Sequence, residues 1–68
     1  MTLSEALDPT TRISLDEAIW ELRQHHHIPS IRHQLDYSEL IDSDGRQIAM
    51  IDIDGMVSSL DVMTWLGY

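Results

Sequence analysis

Glu39-Leu40-Ile41-Asp42-Ser43-Asp44-Gly45-Arg46-Gln47-Ile48-Ala49-Met50-Ile51-Asp52-Ile53 is the stretch whose reading decides the fold. Two apolar runs flank Ser43-Asp44-Gly45-Arg46, and Asp-Gly supplies the positive φ angles of a tight hairpin turn. Residues 37–53 are therefore predicted to form a β-hairpin. With Asp44-Gly45 as a two-residue loop, Ile41, Ile48 and Met50 share one face, and Leu40, Ala49, Ile51 and Ile53 share the other. Both faces are then apolar. Either two helices sandwich the hairpin, or one face or edge meets another chain.

Upstream, Ser14 and Glu17 have the spacing of a capping box, in which each side chain bonds the other residue's backbone N–H. Over residues 15–26, Leu15, Ala18, Ile19, Leu22 and His26 fall on one arc of a helical wheel. Ile28-Pro29 stops that helix. Residues 30–36 read as a short turn or irregular connection; a short strand is an alternative, since Ile31, His33, Leu35 and Tyr37 alternate, and so is one helical turn, which Ile31 and Leu35 fit. Residues 1–13 read as a partly flexible lead-in, broken at Asp8-Pro9. Downstream, Asp54-Gly55 makes a second turn. Ser58, with Asp61 three residues on, caps a short helix that Gly67 ends. The only repetition read in the chain is His25-His26-His27. The predicted fold is a small single α+β domain over residues 14–68, in the order helix, β-hairpin, helix (αββα).

Sixty-eight residues bury only about 60% of the surface an unfolded chain exposes, so a partner or staple is expected. The chain has no cysteine, which excludes disulfides and thiolate metal sites. Its net charge of −8 opposes direct binding to nucleic acid or anionic membranes and suits a basic protein partner. Charge is also lopsided. From Asp36 to Asp61, seven acids face Arg46 alone, whereas residues 1–35 carry five acids, three arginines and all four histidines. Protonating those histidines would reverse the sign of the N-terminal half, so association is expected to depend on pH. Lys, Asn and Phe are missing, as in a GC-rich genome or on a salt-adapted surface. No apolar run approaches a membrane span, and no basic leader is present, so the chain is expected in the cytoplasm.

Five acids are candidates for a partner-binding surface: Asp42, Asp44, Asp52, Asp54 and Asp61. Trp20 falls on the polar side of its helix and is a candidate aromatic anchor, unless the loop at residues 28–31 covers it. Glu21 with His25 forms an i, i+4 pair, to which His33 could add a third metal ligand. Asp52-Ile53-Asp54-Gly55-Met56-Val57-Ser58-Ser59-Leu60-Asp61 resembles the second part of an EF-hand or dockerin calcium loop. Acids stand at loop positions 3, 5 and 12 and glycine at 6. Met50 stands at position 1, where a ligating side chain is needed. Ser59-Leu60-Asp61 resembles the serine motif of acyl carrier proteins, but only seven residues follow it. Residues 40–48 resemble the hairpin of the N-terminal domain of translation initiation factor 3, without that family's positive charge.

No glycine-flanked nucleophile and no phosphate-cradling loop is present, so catalysis is not expected, nor is a cofactor. The expected function is a non-enzymatic, acidic protein-binding module of prokaryotic or phage type. It would dock on a basic protein surface as a small inhibitor, antitoxin or nucleic-acid mimic does. One alternative is an assembly subunit of a phage or complex, forming a homo-oligomer through the hairpin. The other is a metal-responsive regulator.

Overall fold

The computed structural model describes residues 2–68. It overturns the helix–hairpin–helix expectation. The elements run α1 (Leu3–Ala6), β1 (Arg12–Ser14), α2 (Leu15–Gln24), β2 (Ser30–His33), β3 (Ser38–Ile41), β4 (Gln47–Ile51), β5 (Met56–Ser58) and α3 (Ser59–Leu66). The strands form one antiparallel sheet in the order β1-β5-β4-β3-β2. Strands β2 to β5 are a meander, and β1 returns along the far side of β5. The correction has a plain cause: β1 and β5 are three residues each, too short to show the alternation that marks a strand.

Two turns of one design build the meander. Asp42 N–H donates to the Arg46 carbonyl (2.9 Å), and the Asp42 carboxylate accepts from the N–H groups of Asp44 (2.8 Å) and Arg46 (2.9 Å). Ten residues on, Asp52 N–H donates to the Met56 carbonyl (2.9 Å), and the Asp52 carboxylate accepts from Asp54 and Met56 (3.0 Å each). Gly45 (φ 82°) and Gly55 (φ 76°) close these three-residue loops in the left-handed region, where a Cβ is disfavoured. Ile41-Asp42-Ser43-Asp44-Gly45 and Ile51-Asp52-Ile53-Asp54-Gly55 are thus a structural repeat that the sequence reading missed.

The first turn is one residue longer than the two-residue loop expected, and a bulge next to Ile41 restores the pairing. Leu40 then lies opposite Ala49, while the bulge sends Ile48 into the core beside Ala49. Directly opposed residues share a face. Ile31, Leu40 and Ala49 therefore point to one side, as do His33, Ser38, Ile51, Val57 and Ile13. That side carries the helices, which pack on β1, β4 and β5. The hairpin is not sandwiched. Ile13, Ala18, Leu22, Leu40, Ile48, Ala49, Val57 and Val62 form the core, to which β2 gives no side chain.

Both long helices start directly from a strand. Ser14 Oγ accepts from Glu17 N–H (3.1 Å) and Ser58 Oγ from Asp61 N–H (3.4 Å), each satisfying an orphan first-turn donor. Both also end alike. His27 N–H donates to Leu22 and His26 N–H to Arg23 (both 3.0 Å), while Tyr68 N–H donates to Met63 and Gly67 N–H to Thr64 (3.0 and 3.1 Å). The left-handed residue of this closure is Gly67 (φ 98°) in α3 but His26 (φ 66°) in α2. The two ends meet where the His27 ring packs edge-on against Trp65, centroids 4.5 Å apart.

Candidate partner-binding groove

Helix α2 leaves β1 at Ser14, so its first two turns sit beside Ile13. Asp16 and Glu17 lie in the first turn and Trp20 and Glu21 one turn later, on a shared flank. Met63 reaches the same place from α3. Together these residues line a groove of about 380 Å³. Its floor is apolar, since Ile13 and Met63 are buried. Trp20 stands 61% exposed at the edge, so the loop at residues 28–31 does not hide it. Three carboxylates and no fixed cation belong to the lining. Carboxylates above an apolar wall focus negative potential outward, and an indole face adds attraction for a guanidinium or ammonium group.

The five acids singled out from the sequence do not converge with this groove or with one another. Asp42 and Asp44 sit in the β3–β4 turn, and Asp52 and Asp54 in the β4–β5 turn, at opposite ends of β4. A five-residue strand separates those ends by roughly 17 Å. Asp61 belongs to neither turn and lies in the first turn of α3. Asp42 and Asp52 hold their own turns, and Asp52 also pairs with Arg12 at 3.5 Å. The acids that do cluster around the aromatic anchor are Asp16, Glu17 and Glu21. Their signal was in the sequence: they stand four and three residues before Trp20 and one after it.

The metal candidates are not brought together. Glu21 and His25 approach to 3.6 Å, but His33 lies on β2, where Nδ1 shares a hydrogen bond of 2.8 Å with Ser38 Oγ. Among the described residues no three His, Cys, Asp or Glu side chains are placed to hold an ion. The calcium-like segment is a hairpin turn running into a helix cap, and one Asp52 oxygen already accepts two backbone N–H groups.

The sheet face away from the helices carries a second polar feature. Glu39 is 3% exposed there, beneath Arg32 (3.0 Å), Gln34 (3.3 Å) and Gln47 (3.4 Å), all donating to its carboxylate. The Arg32 guanidinium foremost, with help from Gln34 and Gln47, holds the Glu39 carboxyl below its usual value. Every acceptor is served, so the cluster reads as a sealed structural unit. No described helix is long and apolar enough to cross a membrane. Comparison with protein-family models, with curated proteins and with solved structures gives no match.

Proposed function

We propose that this chain is a non-enzymatic, cytoplasmic protein-binding module, and that its Trp20 groove receives a basic, amphipathic segment of a protein partner. One observation carries the reading: an exposed tryptophan stands over an apolar floor whose other exposed lining groups are all carboxylates. An arginine or lysine would lay its alkyl stem on Ile13 and Met63, its charge over Trp20, and its head among Asp16, Glu17 and Glu21. The acids of the two hairpin turns act at longer range, raising the encounter rate with a basic surface. This places docking on α2 and gives the turns a steering role.

The test is calorimetric titration of the whole chain with a short synthetic peptide of alternating leucine and arginine. Binding is expected at low salt, weakening steeply as salt rises. Trp20→Ala, and separately Asp16→Asn with Glu17→Gln and Glu21→Gln, should each weaken it at least about tenfold, as loss of an interface anchor does. Asp42→Asn with Asp44→Asn should slow association and leave dissociation unchanged. Equal binding by Trp20→Ala, or no heat at millimolar peptide, overturns the reading.

A further inference from the structure

We propose that the free edge of β2 pairs with the same edge of a second copy of this chain, in antiparallel register with Ile31 opposite the second copy's Ile31. The inference stands apart from the Trp20 groove and rests on the backbone. Gln34 N–H donates to the Tyr37 carbonyl at 2.7 Å, which makes Gln34 and Tyr37 a hydrogen-bonded pair closing the β2–β3 hairpin. Such pairs alternate along an antiparallel ladder. With Arg32 opposite Glu39 and Ser30 opposite Ile41, Ser30 and Arg32 turn their N–H and C=O toward β3. Ile31 and His33 turn theirs outward, to the open edge of the sheet. An open edge with unpaired backbone groups is a template for another strand.

Register follows from the side chains. Centring the two-fold on Ile31 lets the two Ile31 residues exchange both backbone bonds. Each His33 N–H then meets the Pro29 carbonyl of the other copy. The Ile31 side chains, 40% exposed on the helix side of the sheet, cover one another at its open edge. Shifting the centre to Arg32 would set two guanidiniums directly opposite, which is unfavourable.

Charge selects the second copy's approach. Each chain carries −8, so two copies repel over most of their surface. Residues 22–35 contain no Asp or Glu and carry Arg23 and Arg32, and β2 lies within them. Glu39 on the neighbouring strand is already paired with Arg32. A like molecule approaching this edge meets a strand that carries no carboxylate of its own.

The test combines sedimentation equilibrium with amide hydrogen exchange on the full chain. Mass should rise from 7.8 kDa toward twice that with concentration, and association should strengthen with salt as the net repulsion is screened. Exchange at Ile31 and His33 should slow as concentration rises, while Arg32, bonded within the monomer, stays slow throughout. Ile31→Lys, which places a charge on an edge outside the core, should weaken association at least about tenfold without unfolding. Ile31→Val should retain it. A strictly monomeric chain at about 1 mM, concentration-independent exchange at Ile31 and His33, or full association of Ile31→Lys would each overturn the proposal. Salt acts oppositely on the groove peptide, so the two proposals fail separately.

Discussion

The carboxylates of Asp42 and Asp52 do the same work ten residues apart, each accepting two backbone N–H groups of the turn it opens. Replacing either by Ala leaves those donors to water and frees the turn, at a cost of about 1–2 kcal/mol. Asn keeps the accepting oxygen and should recover most of the loss. Urea unfolding of the four variants checks this.

The twin turns also supply an internal control. Ser43 and Ile53 hold the same turn position, yet Ile53 is 100% exposed. Turn geometry therefore makes no demand for isoleucine, and Ile53→Ser should change stability by less than about 0.5 kcal/mol. Equal urea midpoints for wild type and variant are the expected result.

The closures of α2 and α3 form a second matched pair. His26 adopts the left-handed conformation that Gly67 adopts without a Cβ penalty. His26→Gly should stabilise the chain by about 0.5–1 kcal/mol, because relief of strain outweighs the added freedom of the unfolded chain. Gly67→Ala should destabilise by about 1 kcal/mol. Thermal midpoints moving in opposite directions would show both.

Glu39 ties stability to acid. Its carboxyl titrates lower when folded than when unfolded, chiefly because Arg32 donates to it. That contribution is present above the unfolded value of about 4.3 and is lost as pH falls through the folded one. Asp8, lowered by its bonds from Thr10, acts in the same direction. Glu39→Gln should therefore flatten, without abolishing, the fall in stability below about pH 4.5. Urea midpoints from pH 7 to 2.5 measure it.

Trp20 and Leu22, two residues apart, should separate binding from folding. Leu22 is fully buried, and Leu22→Ala should cost about 2–5 kcal/mol. Trp20→Ala should cost less than about 1 kcal/mol, its ring being mostly in water already.

What the sequence disclosed was local chemistry: the Asp44-Gly45 turn, the Ser14 and Ser58 caps, and the Gly67 closure each depend on residues within a few positions of one another. Sheet membership was not disclosed. Arg12-Ile13-Ser14 and Met56-Val57-Ser58 become strands because each buries one apolar residue against the other, a pairing across more than forty positions. The second hairpin had a visible signal in the recurrence of Ile-Asp-x-Asp-Gly. Its likeness to a calcium loop comes from the same spacing, in which the Asp52 carboxylate serves backbone amides. Asp16, Glu17 and Glu21 neighbour Trp20 in sequence, but only the junction of β1 with α2 shows that they share a groove with Ile13 and Met63.

Because the outermost ribbon lends the interior no apolar side chain, and only Arg32 to the buried Glu39 carboxylate, its other three positions can drift at little cost to the rest. Substitutions at those three alter the open edge of the sheet before they alter whether the molecule holds its shape. A lineage carrying this architecture can vary Ser30, Ile31 and His33, while Arg32 and the remainder stay under the constraint of an unchanging scaffold.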